Sequence, residues 1–122
     1  MQISAIEFEQ LVEQALAELP KRFADLLQNI AVIVEAEPSE SDLDALDDDA
    51  FEAGHELLGI YRGVPRTRRT HDMFALPDQV AIFRGPILRI AQTNREIVQE
   101  VRDTVVHELG HYFGLSDADM HY

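Results

Sequence analysis

Two histidines four residues apart, with a glutamate directly after the first, are the residues of this chain best suited to chemistry. They are His107, Glu108 and His111 in the segment HELGH. On a helix, positions four apart differ by about 40° around the axis and lie one turn apart, so both imidazoles face the same way. Two such nitrogens can bind one zinc ion at about 2.0–2.1 Å. The spacing therefore predicts a zinc site of the HExxH type on a helix.

The glutamate between the histidines predicts catalysis rather than metal storage alone. Glu108 lies on the same arc of the helix, about 60° beyond His111. Its carboxylate can therefore face a water on the metal without binding the metal itself. Zinc lowers the pKa of such a water towards neutral, and the carboxylate can accept its proton as it attacks a carbonyl. Glu108 is the predicted general base of a hydrolytic reaction.

A catalytic zinc site needs a third protein ligand. Gly114 can close the helix, and Asp117 follows three residues later, where the chain turns back towards His111. Asp119 and His121 are alternative ligands close by in the sequence. The pattern favours Asp117. A chance match to all five residues at these offsets is expected in roughly one chain in ten thousand of this composition.

The metal helix is one of several elements that the sequence predicts. Capping boxes at 4–7 and 93–96 predict the starts of two amphipathic helices. Pro20 ends the first helix and can begin a second, short one, whereas Gly114 is placed to end the last helix in the left-handed conformation.

Three strands and one further helix are predicted between these helices. The strands cover 30–34, 57–61 and 79–83, and a short helix covers 85–91. Segment 30–34 is apolar on both faces and is expected to be buried. Segment 79–83 is expected to be core, with a substrate-binding sheet edge as the alternative. This order of elements indicates an α+β fold rather than regular α/β alternation.

Length and composition indicate a single domain over residues 1–122. The chain has 122 residues, of which 46% are hydrophobic, so it can bury one core. There is no apolar run long enough for a membrane span, and the N-terminal residues do not resemble a signal peptide. Cysteine is absent, which excludes disulfides, thiolate ligands and thiol nucleophiles. We expect a cytoplasmic protein.

The net charge of −13, from 23 acidic and 10 basic residues, argues against nucleic acid and anionic membranes as partners. Ten of the acids lie between Glu35 and Glu56, with no Lys or Arg among them. Their order does not match a calcium loop, so a solvated loop or frayed helix is expected. Four arginines follow and are expected to balance this acidic stretch from a loop, with a substrate-binding patch as the alternative: Arg62, Arg66, Arg68 and Arg69.

The motif HExxHxxGxxD resembles that of the zincin metallopeptidases. The segments Leu57–Pro65, Leu76–Asp78 and Ile82–Leu88 are also similar to small bacterial proteins called minimal zincins, or zincin-like metallopeptidase family proteins. The resemblance implies a minimal zincin-like fold, in which a small mixed sheet packs against the metal-binding helix and the N-terminal helices.

The same resemblance implies a zinc cofactor but does not supply the physiological substrate. The function we expect is a zinc-dependent peptidase that acts on a peptide or protein substrate. The resemblance identifies His107, His111 and Asp117 as zinc ligands and Glu108 as the catalytic acid/base. The sequence departs from the metzincin pattern because the third ligand is Asp rather than His. It also leaves no room for a methionine turn, since Met120 lies only three residues beyond Asp117.

Two other functions remain open from the sequence. One is a zincin-like module that binds metal or a partner without catalysis. The other is a metal-dependent endoribonuclease, because a bacterial RNA-processing family has similar H-x3-H-x5-D/H spacing; there a glycine follows the first histidine, and the negative charge also disfavours RNA. Three tyrosines could polarise a substrate carbonyl, although the second is expected to pack: Tyr61, Tyr112 and Tyr122. His55 and His71 are expected to be ordinary surface histidines.

Overall fold

A computed structural model of the chain describes residues 2–44, 56–63 and 77–114. These residues form five α-helices, one short 3₁₀ helix and three strands. In chain order the elements are α1 (Ala5–Ala17), α2 (Lys21–Leu26), the 3₁₀ helix (Leu27–Asn29), β1 (Ile30–Glu35), α3 (Glu40–Asp44), β2 (Gly59–Arg62), β3 (Asp78–Phe83), α4 (Arg84–Ile90) and α5 (Asn94–Tyr112). The predicted α+β class is confirmed.

The three strands form a mixed sheet in the order β1-β3-β2. Strand β1 runs parallel to β3, and β2 runs antiparallel to it. Strand β3 is central, so the alternative that it forms a substrate-binding edge is wrong, and residues 80–83 are buried in the core. The expectation that β1 is buried is also wrong. It is half-buried along its length, because it pairs with only one strand in the described part of the sheet.

Both predicted capping boxes begin helices. The Ser4 hydroxyl accepts a hydrogen bond from the Glu7 N–H at 3.1 Å, and the Thr93 hydroxyl accepts one from the Glu96 N–H at the same distance. At the other end of α5, Gly114 has a φ of +67° and turns the chain out of the helix, as predicted. Among the helices described here, none is both long enough and apolar enough to cross a membrane.

The main core lies between α1, α5 and one face of the sheet. Helix α5 buries one apolar face, and α1 covers it with a matching face from the start of the chain. Arg95 and Arg102 of α5 both pair with Glu18, directly after α1, at 2.9 Å and 3.1 Å. The buried residues of this interface are Phe8, Val12, Ala15, Val80, Ile82, Ile97, Val98, Val101, Val105 and Leu109.

The opposite face of the sheet carries a partly buried ion cluster around Arg62. Its guanidinium binds both carboxylate oxygens of Glu35, at 2.7 and 3.0 Å, and both of Asp42, at 2.7 and 2.9 Å. It also lies over the ring of the buried Phe83. Asp42 is only 5% exposed, so the prediction of a solvated acidic stretch is wrong at this residue.

The short helix α3 explains how Asp42 reaches Arg62. Ser39 and Asp42 cap its start reciprocally, each N–H donating to the other side chain, at 2.9 and 3.1 Å. Arg62 does balance the acidic stretch, but from strand β2 rather than from a loop. The other three arginines of that group, and residues 47–49 of the acidic stretch, lie outside the described residues.

We predict that Asp42 makes folding stability depend on pH in acid. Hydrogen bonds from Arg62, and then from Ser39, hold the pKa of Asp42 below its ordinary value despite partial burial. A carboxyl with a lowered folded-state pKa stabilises the fold above its unfolded pKa of about 3.9, and this contribution disappears as the pH falls through the lower folded value.

Urea unfolding at pH 7 and in steps below pH 4 tests this expectation. Asp42→Asn should lower stability at pH 7 and lose less of it in acid than the wild type. Asp44→Asn is the matched control, because Asp44 lies on the same helix but is exposed. Equal acid sensitivity of the wild type and Asp42→Asn would contradict the assignment.

Candidate metal centre

The last two turns of α5 bring His107 and His111 together on one exposed side of the helix. Their ring centroids are 4.3 Å apart, and the ring planes are inclined at 45°. Leu109 and Gly110, between them in sequence, face the core and are buried. The helical spacing thus has the effect expected from the sequence, because core burial on one side leaves the two imidazoles side by side on the other.

The electrostatic surroundings of the two histidines suit a cation. Desolvation lowers the pKa of His107 from its ordinary value, and positive charge on His111 lowers it further. A lowered pKa favours the neutral imidazole, which is the form that binds metals. Both residues also lie near the carboxyl end of a 19-residue helix, where the helix dipole is negative. His107 therefore offers a neutral nitrogen ligand beside the ring of His111, in a region that favours positive charge.

Glu108 is half-buried and contacts the neighbouring strand. Its Oε1 accepts a hydrogen bond from the backbone N–H of Tyr61 in β2, at 3.1 Å. Burial raises the pKa of Glu108, while the bond from Tyr61 and the charge of His111 act in the opposite direction. A carboxylate has a second oxygen with acceptor capacity, and a raised pKa makes the group a better proton acceptor.

Tyr61 connects the sheet to the last turn of α5. Its ring stacks on that of Tyr112, with centroids 3.8 Å apart and planes inclined at 17°, and Phe113 lies edge-on to both rings. The Tyr61 hydroxyl donates to Asp78 Oδ2 at 2.6 Å. The structure thus directs this hydroxyl to a carboxylate, contrary to the hypothesis that it polarises a substrate carbonyl.

Two features of this region were not predicted from the sequence: the ring partner of Tyr112 and the burial of Asp78. Tyr112 packs as expected, but its partner is Tyr61 and half of its surface is exposed. Asp78 is 6% exposed and serves as the acceptor that holds Tyr61. The available signal was an aspartate at the head of a strand whose last four residues are apolar, since such a residue is buried only when a polar partner is close.

The third-ligand candidates Asp117, Asp119 and His121 lie outside the described residues, as do Tyr122, His55 and His71. Within residues 2–44, 56–63 and 77–114, no three His, Cys, Asp or Glu side chains come together as a metal site. The described part of the site therefore provides two adjacent imidazoles and a neighbouring carboxylate. These fit two of the ligand positions of a catalytic zinc and the proton acceptor beside it.

A glycine in strand β2 lets the strand approach α5 closely enough for Tyr61 to contact Glu108 and Tyr112. A Cβ atom on Gly59 would lie 2.6 Å from Thr104 Cγ2 on α5 and 2.8 Å from the carbonyl oxygen of Ala81 in β3. Both distances are shorter than van der Waals contact, so any larger residue must push the strand away from its neighbours. The absence of a side chain at Gly59 therefore allows the short distance between β2 and α5.

Comparisons with known proteins identify the family of the chain and a similar fold. The sequence model of the zincin-like metallopeptidase family matches residues 27–122. The fold is similar to the solved structure of a conserved hypothetical protein from Thermo thermophilus, with a TM-score of 0.55 and 28% sequence identity. That match covers 91% of this chain and 94% of the other. No significant match to a curated protein is found.

We predict that Gly59→Ala destabilises the fold by about 1–3 kcal/mol, the usual cost of overpacking a well-packed contact. Urea unfolding measures the loss. Thr104→Ser removes Cγ2, so the double variant with Gly59→Ala should recover part of the lost stability. Recovery should be incomplete, because the new Cβ still lies too close to the carbonyl oxygen of Ala81. Gly63→Ala in the same segment is the control, since its Cβ would meet Tyr112 at an ordinary contact distance of 3.4 Å. Equal stability of Gly59→Ala and wild type would contradict the close approach.

Proposed function

Because the chain belongs to the zincin-like metallopeptidase family, we propose that it is a zinc-dependent peptidase with its active site on the last two turns of α5. The observation that carries the proposal is the adjacency of two exposed imidazoles, with centroids 4.3 Å apart, to the half-buried carboxylate of Glu108. A structural zinc site uses four protein ligands and needs no neighbouring proton acceptor, whereas a hydrolytic site needs one.

In this proposal His107, His111 and Asp117 hold the zinc ion. The first two are supported by their geometry on α5, and Asp117 by its place in the motif HExxHxxGxxD. The turn at Gly114 supports this choice, because the chain leaves the helix there in the left-handed conformation. A site with three protein ligands leaves a coordination position open for water or substrate.

Glu108 acts as the general base. When bound, zinc supplies the positive charge that polarises a carbonyl and makes a water acidic near neutral pH. Glu108 accepts the proton of the attacking water on Oε2, because Oε1 holds the N–H of Tyr61. It then returns that proton to the leaving amine, so one carboxylate serves as base and then as acid. Its anchored position spares the reaction the entropy of orienting a free base.

A peptide or protein is the proposed substrate. Strand β2 lies at the border of the described sheet, next to α5, so an extended chain bound along this side would bring its backbone carbonyls close to the histidines. The net charge of −13 also disfavours the nucleic-acid substrates of the endoribonuclease alternative.

We predict that the purified protein binds about one zinc ion per chain, as a three-ligand site requires. His107→Ala and His111→Ala should each abolish binding, since a single remaining imidazole cannot complete the site. Elemental analysis after gel filtration and a competition titration with a chromophoric chelator measure the content and the affinity. Full zinc content in either variant would contradict the ligand assignment.

The third ligand is decided by the same titration. Asp117→Ala should weaken zinc binding strongly while the unfolding transition of the zinc-free protein stays unchanged. Asp119→Ala and His121→Ala are the matched controls and should bind zinc like the wild type. A larger loss for His121→Ala or Asp119→Ala would move the ligand to that residue.

We predict that Glu108→Gln separates catalysis from metal binding. The amide cannot accept the proton, so peptide hydrolysis should fall by about 10²–10⁴-fold, the usual contribution of a general base. Because Glu108 is not a ligand in this proposal, zinc content should stay level. A peptide-library assay of wild type and variant, each with and without a chelator, measures both quantities.

The same assay tests the non-catalytic alternative. A zincin-like binding module would cleave nothing, so wild type and Glu108→Gln would behave alike and the chelator would have no effect. Cleavage that survives both the substitution and the removal of zinc would contradict the mechanism.

A further inference from the structure

The last turn of α5 lies beyond the part of the helix that the core holds. The buried residues of α5 end at Leu109 and Gly110. After them Tyr112 is 53% exposed and Phe113 is 42% exposed. His111 lies in this outer turn, so core packing fixes His107 more firmly than its partner. A two-histidine site needs both imidazoles at a set distance, and some further contact must hold the outer turn in place.

Tyr61 supplies that contact at two points on α5. Its backbone N–H binds Glu108 Oε1 at 3.1 Å, and its ring stacks on Tyr112 at 3.8 Å. Glu108 and Tyr112 are four residues apart, so they lie one above the other on the same side of the helix. Each directly follows one of the two histidines in the sequence. Fixing the rotation of this side of the helix therefore also fixes the directions of the imidazoles.

Asp78 in turn holds Tyr61 on the sheet. The Tyr61 hydroxyl donates to Asp78 Oδ2 at 2.6 Å, and Asp78 is only 6% exposed. Tyr61 pairs with Val80 across the β2–β3 ladder, so Asp78 lies diagonally opposite it on the central strand. A short hydrogen bond to a buried carboxylate is about twice as strong as one between neutral groups. The ring of Tyr61 is thus held by a residue of the most buried strand.

We propose that Asp78 and Tyr61 are positioning residues, which set the rotation of the last turn of α5 and thereby the alignment of His111 with His107 and Glu108. The inference rests on the proposed function, because it concerns the zinc site assigned there. Neither side chain binds the metal. Asp78 acts through the ring of Tyr61, and Tyr61 acts through Tyr112 and Glu108.

Zinc affinity and the visible spectrum of the cobalt-substituted protein test this role. Tyr61→Phe keeps the ring stack but loses the bond to Asp78, and Asp78→Ala removes the acceptor. Each should weaken zinc binding roughly tenfold, the lower end of the cost of removing a group that orients metal ligands. Each should also change the cobalt absorption bands, which report ligand geometry. The double variant should be no weaker than the worse single variant, because the two groups act as one unit.

Two further variants separate positioning from general destabilisation. Asp78→Asn keeps an oxygen that accepts from the tyrosine hydroxyl, although the bond is weaker without the charge, so its zinc affinity and cobalt spectrum should lie closer to the wild type than those of Asp78→Ala. Thr93→Ala removes the cap of the same helix at its far end; it should lower the unfolding midpoint without changing zinc affinity.

Each outcome bears on a different claim. If the wild type binds zinc and Tyr61→Phe binds it equally well with the same cobalt spectrum, the positioning role is overturned and the proposed function stands. The same holds if Thr93→Ala weakens zinc binding as much as Tyr61→Phe does. If the wild type binds no zinc, the proposed function fails, and the positioning role fails with it. Tyr61→Phe decides the matter even if Asp78→Ala does not fold.

Discussion

The burial of one face of α5 against α1 and the sheet is the constraint on which the site depends. Each fully buried Val, Leu or Ile contributes roughly 1.5–3 kcal/mol. The ion pair between Arg95 and Glu18 lies at the surface, where solvent screening leaves it a much smaller contribution. Apolar burial therefore decides how the helix is rotated, and the ion pairs only reinforce the result. Once the rotation of α5 is fixed, the directions of the side chains outside its buried face are fixed as well. His107 and His111 therefore lie together on the exposed side.

Much of the local structure could be predicted from the sequence. The capping boxes at Ser4 and Thr93 identified two helix starts, and Gly114 identified a helix end, because these signals involve residues only a few positions apart. The pairing of His107 and His111 also follows from local geometry, since helical periodicity alone brings residues four apart to one side. Strand locations were predicted to within a few residues, because β-branched apolar runs are local signals as well.

The features that the sequence did not reveal all depend on long-range contacts. Glu108 and Tyr61 are 47 positions apart in the chain, and Arg62 and Asp42 are 20 apart. The order of the strands in the sheet is also a long-range property, because it depends on which strands pair with each other. No periodicity in the sequence reports such contacts. A carboxylate in an acidic run, such as Asp42, is usually solvated. Here its distant arginine, together with the nearby Ser39, offsets the free energy of burying it.

Desolvation acts on the two kinds of titratable group at this site in opposite directions. It lowers the pKa of His107 and raises that of Glu108, so in each case it favours the neutral form. For a histidine this is the metal-binding form. For Glu108, desolvation disfavours the ionised carboxylate, which is the form that accepts a proton. The charge of a cation beside Glu108 would favour that carboxylate. A cation at this partly desolvated site would therefore offset the effect of desolvation on Glu108, while desolvation already favours the metal-binding form of His107.

The packing of α1 on α5 has a consequence for the smallest unit that can fold. The family match begins at residue 27, yet Phe8, Val12 and Phe23 belong to the same buried cluster as Val101 and Leu109. A fragment trimmed to the matched region would keep every residue of the proposed site and lose the cover of the helix that carries it. Its uncovered apolar surface would favour self-association. The first 26 residues are thus part of the same folding unit as the helix that carries the motif.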